Sequence, residues 1–326
     1  MGRALRSGPV DTFEGRLAVV TGGGTGMGRE LVIQLANEGC SVATCDVNAD
    51  NMAETLDRAT KEAPSGVKVT THVADVTDEA AVNAFRDEVV EQHRTDHINA
   101  LFNNAGIGGG GSFVAGDRHA WDRTFGVCWG GVYNCSRAFV PLLVAADEGV
   151  IVNTSSVNGF WASLGPGVPH TAYSAAKFAV KGFTEALMED LRVNAPHVTA
   201  AVVMPGHIGT DIVINSRRII SGHDEMTAED LAQVRADIAR RGLPVDGLDD
   251  EALEGFIHTM GEGFRDNAPM SAAEAATFIL DSVKAGTWRI LVGDDAVALD
   301  QAVRANPEGA YGPDGIGLST VTLGRS

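Results

Sequence analysis

The stretch Leu17 to Gly28, LAVVTGGGTGMG, decides how the chain folds, because an apolar run stops there in a glycine-rich turn and a helical pattern begins. Leu17, Ala18, Val19 and Val20 read as a strand buried on both faces, since a parallel strand covered by helices is apolar throughout instead of alternating. Gly22, Gly26 and Gly28 let the backbone turn tightly and come close to a ligand. From Arg29 to Glu38 the sequence RELVIQLANE places Leu31, Val32 and Leu35 on one helical face. The turn therefore opens a helix whose free amides and positive dipole end suit a diphosphate. Strand, glycine turn and helix in that order predict dinucleotide binding.

Asp46 supports this reading. Ser41 to Asp46, SVATCD, reads as a second strand ending in a carboxylate about twenty residues beyond the glycines, where such a fold puts the adenosine ribose. A carboxylate there accepts both ribose hydroxyls and repels a ribose phosphate. Neither Val47 nor the turn residues Gly24 and Thr25 supply the positive charge a phosphate would need, so NAD is expected over NADP.

Composition bounds the rest. At 326 residues one doubly wound α/β domain accounts for most of the chain, and a net charge of −18 argues against nucleic acid or an anionic membrane as partner. Cys40, Cys45, Cys128 and Cys135 show neither metal-ligand spacing nor a disulfide framework. No metal is expected. The opening MGRALRSGPVDTFEG has no apolar signal core, and no stretch is long enough to span a bilayer, which points to a reduced, cytoplasmic protein.

Along the chain, strand and helix patterns alternate. A helix near Ala49 to Glu62 precedes a strand near Val67 to Val73, and Thr77-Asp78-Glu79 opens the next helix. Asp75 is placed either to meet an adenine amine or simply to start that helix. Ile98 to Phe102 is a strand ending in Asn103-Asn104-Ala105-Gly106, followed by a helix near His119 to Ala145. Val150 to Asn153 is a strand, Ala172 to Val193 a helix, Val198 to Met204 a strand, Ser271 to Lys284 a helix and Arg289 to Val292 a strand. The alternation predicts a Rossmann-type, mostly parallel sheet of about seven strands with helices on both faces. Residues 1–13 read as a loose arm, 14–293 as one domain and 294–326 as a C-terminal extension. That extension begins with a short helix in DDAVALDQAVRAN and ends in a Gly/Pro-rich tail expected to pack on a neighbour or stay mobile.

The chemistry is expected at the C-terminal strand ends. Tyr173 and Lys177 lie four apart, so on a helix they share a face, and an ammonium beside a phenol stabilises the phenolate and brings its pKa toward neutral. Ser155 and Ser156 end the preceding strand, where a hydroxyl can hold a carbonyl or alcohol oxygen.

These residues resemble the classical short-chain dehydrogenases/reductases. The resemblance rests on Thr21-Gly22 to Gly28, Asp46, Asp75-Val76, Asn103 to Gly106, the serine pair, Tyr173 with Lys177, and Met204-Pro205-Gly206 followed by Ile208 and Thr210. It implies a Rossmann fold, a nicotinamide cofactor and a homodimer or homotetramer, and the expected partner is a small-molecule alcohol or ketone substrate. On its terms Tyr173 is the general acid/base, Lys177 lowers the tyrosine pKa and binds the nicotinamide ribose, and Ser156 holds the substrate oxygen. The cofactor would lie against Gly22, Thr25, Gly26, Met27, Gly28, Asp46, Asp75 and Val76. Asn104 would line the adenosine ribose side, Ile208 would meet the carboxamide through its backbone, and Thr210 would contact the cofactor nearby.

Three departures qualify the match. Sixteen residues separate Ser156 from Tyr173, more than the family usually has, which puts the excess in Phe160 to Pro169. Cys128 stands where the family commonly has an asparagine that holds a water beside the lysine, and it reads as a small packing residue. The segment 211–270 is long, with an apolar start (Ile212, Val213, Ile214, Ile219, Ile220), a helix near Ala228 to Arg240 and another carrying Leu253, Phe256, Ile257 and Met260. It is expected to form an enlarged helical lid over an apolar pocket, with Phe160 and Trp161 as the opposite wall. The expected activity is NAD-dependent hydride transfer to or from a bulky apolar secondary alcohol or ketone. The alternatives are a catalytically weak NAD-binding scaffold, or a dehydratase or epimerase using transient hydride transfer.

Overall fold

The computed structural model describes residues 10–223, 225–240 and 247–316. The first half runs β1 (Leu17–Thr21), α1 (Gly26–Asn37), β2 (Ser41–Asp46), α2 (Ala49–Lys61), β3 (Val69–Val73), α3 (Glu79–His93), β4 (Ala100–Asn103), α4 (Arg118–Phe125) and α5 (Gly131–Val144). The second half runs β5 (Gly149–Thr154), α6 (Thr171–Asn194), β6 (Val198–Pro205), β7 (Ile208–Gly209), α7 (Ile212–Ser221), α8 (Ala228–Arg240) and α9 (Asp250–Asp266). It ends with β8 (Met270–Ser271), α10 (Ala272–Lys284), β9 (Arg289–Val292) and α11 (Asp294–Ala305).

Among the described residues, seven strands form one parallel sheet in the order β3-β2-β1-β4-β5-β6-β9. The strand order reverses at β1, so the crevice lies above the C-terminal ends of β1 and β4, where a doubly wound sheet binds its ligand. All five residues of β1 are buried, as a strand covered on both faces requires. On one face Leu31 and Leu35 of α1 pack with Ile279 and Leu280 of α10, and on the other Phe85, Phe139 and Leu191 join α3, α5 and α6 to the sheet. Local capping starts the helices where the sequence puts them. Asn48 Oδ1 accepts Asn51 N–H at 2.8 Å, Asp78 Oδ1 accepts Ala80 N–H at 2.8 Å, and Ser271 and Glu274 form a capping box at α10.

Three expectations change. The helix expected from His119 to Ala145 is interrupted by a π-turn at Gly126–Gly130, where Gly131 N–H reaches back to Gly126 O. Val10 and Phe13, read as part of a loose arm, are buried, because Phe13 packs against Phe102 of β4 with ring centroids 6.1 Å apart. The remainder of that arm, residues 1–9, lies outside the described residues. The C-terminal extension folds back on its own chain: Ala310 and Ile316 join a cluster with Val157 and Trp161. Residues 317–326 of the expected tail, and 224 and 241–246 of the lid, lie outside the described residues. No described helix is long and apolar enough to cross a membrane, and no group of metal-ligating side chains occurs among the described residues.

Candidate active site

The glycine turn is tight because its geometry leaves no room for side chains. Gly22 and Gly26 have φ of +68° and +54°, and a Cβ on Gly28 would stand 2.0 Å from Gly22 O. Gly28 therefore lets α1 sit directly on the turn. Thr25 makes no cap bond to α1; its Oγ1 instead accepts Asn215 Nδ2–H from α7 at 3.2 Å. Met27 and Thr210 lie on the same wall, with Thr210 methyl carbon 3.1 Å from where a Gly26 Cβ would be.

A cleft of about 730 Å³ opens above this turn and brings most of the expected residues together: Gly22, Thr25, Gly26, Asp46, Asp75 and Asn104 all face it, as does Val76. Asp46 ends β2, and its carboxylate accepts Gly24 N–H and Asn48 N–H, each at 3.1 Å. Burial pushes the Asp46 carboxyl up, against the pull of these two amides. Asp75 Oδ1 accepts Thr77 N–H at 2.9 Å just ahead of α3, and the residue also lines the cleft. Its other oxygen pairs with Arg123 Nη2 at 2.8 Å. Burial raises the Asp75 pKa, but Arg123 and Thr77 outweigh it and hold the carboxyl below its usual range.

Asn104 lines the cleft and also closes it, since Nδ2 donates to Thr21 O at 3.2 Å while Thr21 Oγ1 accepts Asn104 N–H and Ala105 N–H, both at 3.1 Å. The neighbouring Asn103 lies deeper, donating to Asn153 Oδ1 at 2.8 Å, and Asn153 in turn donates to Thr184 Oγ1 at 2.9 Å. This buried carboxamide pair ties β4 to β5 and α6. Gly28 and Ile208 lie outside the cleft lining, Ile208 being buried.

Ser156, Tyr173 and Lys177 lie outside the cleft lining too, grouped behind Gly106, which does line it. Lys177 is buried, donates Nζ–H to Thr154 O at 2.9 Å and stands 5.4 Å from the Tyr173 ring centroid. A Cβ on Gly106 would lie 3.4 Å from Lys177 Nζ and 3.8 Å from Cys128 Sγ, which puts both side chains directly behind Gly106. Burial pushes the Tyr173 phenol up; Lys177 pulls it down, nearby Cys128 adds to the rise, and a hydrogen bond with Ser156 lowers it. The net rise corrects the expectation of a phenol brought toward neutral, because the ammonium does not offset desolvation of the phenolate. The two serines divide their work. Ser155 Oγ is buried and donates to Lys177 O at 2.7 Å, whereas Ser156 Oγ accepts Asn158 N–H at 3.1 Å and reaches Tyr173.

Cys128 sits in the π-turn, fully buried, and its thiol donates to Ile107 O at 3.1 Å. The lid's first helix crosses the cleft: Ser216 Oγ accepts Gly108 N–H at 2.7 Å, and Ile212, Ile214 and Ile219 line the cleft from above. Trp161, expected as a pocket wall, is instead fully buried against Leu299 and Ala310, and Phe160 stacks under the Arg289 guanidinium, whose carbon is 5.8 Å from the ring centroid. A separate hollow of about 680 Å³ lies between the lengthened segment and the C-terminal extension, with Val168, Pro169, Ala310 and Ile316 in its walls.

The fold is thus a doubly wound α/β fold with its cleft at the switch point of the sheet. The family model for short chain dehydrogenase matches residues 16–219. The protein SadH of Mycobacterium tuberculosis is 33% identical over 295 residues, which are 90% of this chain and 92% of SadH. Levodione reductase of Leifsonia aquatica is 32% identical over 238 residues, 70% of this chain and 83% of that one. In structure, the chain is similar to a short chain dehydrogenase/reductase of Burkholderia phymatum solved in complex with NAD, with a TM-score of 0.72 and 25% identity over 92% of this chain and 97% of that one. A Burkholderia cenocepacia short chain dehydrogenase solved with NADP shares the fold at 21% identity and a TM-score of 0.63, over 91% of this chain and 96% of that one. The chain belongs to the short-chain dehydrogenase family and is an oxidoreductase of that family.

Proposed function

We propose that the protein is an NAD-dependent oxidoreductase that moves a hydride between nicotinamide and the carbinol carbon of a bulky, apolar secondary alcohol or its ketone. What supports this reading is that Ser156, Tyr173 and Lys177 are grouped behind Gly106, which lines the same cleft as Asp46. A dinucleotide fits that cleft: the Gly22–Gly28 contact admits no side chain, and Asp46 stands where a ribose phosphate would have to go. When bound, the nicotinamide ring gives or takes the hydride.

The chain's own residues handle the oxygen. Ser156 Oγ accepts the Asn158 amide, and its one hydroxyl hydrogen, directed at the Tyr173 oxygen, is donated instead to the substrate oxygen when one enters. In ketone reduction the neutral phenol of Tyr173 gives its proton to the oxygen as the carbon receives the hydride, and Lys177 stabilises the phenolate left behind. In alcohol oxidation the phenolate takes that proton. The ammonium of Lys177 is fixed by Thr154 O and so points toward the phenol without needing to move. Ile212, Ile214 and Ile219 of α7 face the cleft and favour an apolar substrate. A homodimer or homotetramer working in the cytoplasm completes the reading, within a single catalytic domain over residues 14–293.

The test is turnover of NAD and NADP with a panel of aliphatic, aromatic and steroid-like secondary alcohols. Reduction of NAD by apolar members of the panel supports the proposal, and no turnover with any of them would sink it.

A further inference from the structure

The segment that follows Ser156 is gripped by a part of the chain far from the cleft. Asn158, whose backbone N–H bonds Ser156 Oγ at 3.1 Å, is itself buried, and its carboxamide donates to Trp161 O at 2.9 Å and to Ser163 O at 2.7 Å. Both carbonyls belong to the lengthened stretch between Ser156 and Tyr173. That stretch is held in turn from the C-terminal side: Trp161 Nε1–H donates to Ala310 O at 3.2 Å, and Ala162 N–H donates to the Tyr311 hydroxyl at 3.0 Å. The Trp161 ring is fully buried among Val157, Ala296, Leu299 and Ala310. Hydrogen bonds and packing therefore run without a gap from Ala310 and Tyr311 to the Ser156 hydroxyl.

We propose that Ala310–Tyr311 is a latch that sets the orientation of Ser156, with Asn158, Trp161 and Tyr311 as positioning residues for the site. This rests on reading Ser156 as the holder of the substrate oxygen. A longer loop has more conformations to lose, and fixing each of its residues costs backbone entropy. The latch fixes them through contacts made once, in the fold. Released, Asn158 loses its two carbonyl partners, the turn at Val157–Gly159 loosens, and Ser156 Oγ spreads over its staggered rotamers. A hydroxyl displaced by about an ångström costs rate without changing how the cofactor binds.

Two variants test this. Tyr311→Phe removes only the hydroxyl that accepts the Ala162 amide, and Trp161→Phe keeps an apolar ring but loses the bond to Ala310. Amide hydrogen exchange is measured in the full chain alongside turnover, NAD affinity and melting temperature. The latch predicts that exchange at Ala162 and over Val157–Gly159 speeds up by about fivefold or more in each variant, with the amides of α6 unchanged. It also predicts that kcat falls about tenfold while the NAD Kd holds in both variants and the melting temperature holds in Tyr311→Phe; the cavity left by Trp161→Phe lowers its melting temperature. If the wild type turns over no alcohol or ketone, the proposed function fails, and the exchange measurement still decides the latch. Unchanged exchange at those amides in both variants overturns it. A loss of kcat matched by an equal loss of NAD affinity overturns it too, because that is general loosening and not displacement of one hydroxyl.

Discussion

Asp46→Asn isolates the choice between NAD and NADP. The carboxylate is fixed at the cleft by Gly24 N–H and Asn48 N–H, both at 3.1 Å, so it does not swing away from a ribose phosphate. At about 5 Å and an effective dielectric near 20, each phosphate charge is repelled by roughly 3 kcal/mol before salt screening. A wild-type preference for NAD of about a hundredfold, equal to roughly 2.7 kcal/mol, is therefore the expected lower bound. An asparagine carries no charge and accepts only one of the two amides, leaving its own NH2 facing the other. Binding of NAD should weaken by about tenfold and the NAD:NADP ratio should shrink by at least as much. Because burial raises the Asp46 carboxyl, acidification should narrow the wild-type ratio as the group protonates, and the Asp46→Asn variant should lose that trend. Titration calorimetry with both dinucleotides at fixed salt over a pH series reads all of this. Equal affinities in the wild type, or an unchanged ratio in the variant, would mean that Asp46 does not select the cofactor.

Cys128→Ser keeps a donor to Ile107 O and should change turnover by tenfold or less, about 1.4 kcal/mol of barrier, with NAD affinity intact. Cys128→Asn should keep or raise activity; peroxide that silences the wild type but spares the serine variant would instead show a redox switch. Since burial raises the Tyr173 phenol, alcohol oxidation should climb with pH through the alkaline range while ketone reduction falls, as rate profiles in both directions will read; a pH-independent oxidation rate contradicts this. His93 is depressed to about 4 by burial, with Lys68 and His72 adding to it, so only the unfolded chain takes up its proton between pH 6.5 and about 4. The stability present above pH 6.5 should thus decline across that window. His93→Gln should flatten the decline in denaturant melts, and an identical slope in the variant would remove His93 as its source.

How much the sequence disclosed depended on the range of the contacts involved. Leu17–Thr21, the glycines and Asp46 were legible because a doubly buried strand is apolar throughout and a tight turn demands residues without side chains. Tyr173 and Lys177 were legible because four residues bring side chains together on any helix. Side-chain partners distant in sequence were not. Arg123 meets Asp75 across 48 residues, Asn103 meets Asn153 across 50, and Trp161 meets Ala310 across 149, and no spacing rule connects them. Trp161 signalled only that something large was to be buried. The π-turn left a faint mark in Gly126, Gly130 and Gly131, of which Gly131 leaves room for Val76: a Cβ there would stand 2.6 Å from a Val76 methyl. Val10 and Phe13 were hidden by their polar surroundings, although their spacing could have suggested a short buried approach to β1. The direction of the Tyr173 shift needed the depth of burial, which a residue pair alone does not give.

In the proposed step Tyr173 exchanges the proton of the reacting oxygen, and Tyr173→Phe isolates that role. The variant keeps the ring beside Lys177 and loses only the hydroxyl, so NAD should bind with wild-type affinity while reduction of NAD by the best alcohol of the panel falls by about a thousandfold or more. Turnover near the wild-type rate in a variant that still binds NAD would contradict the account.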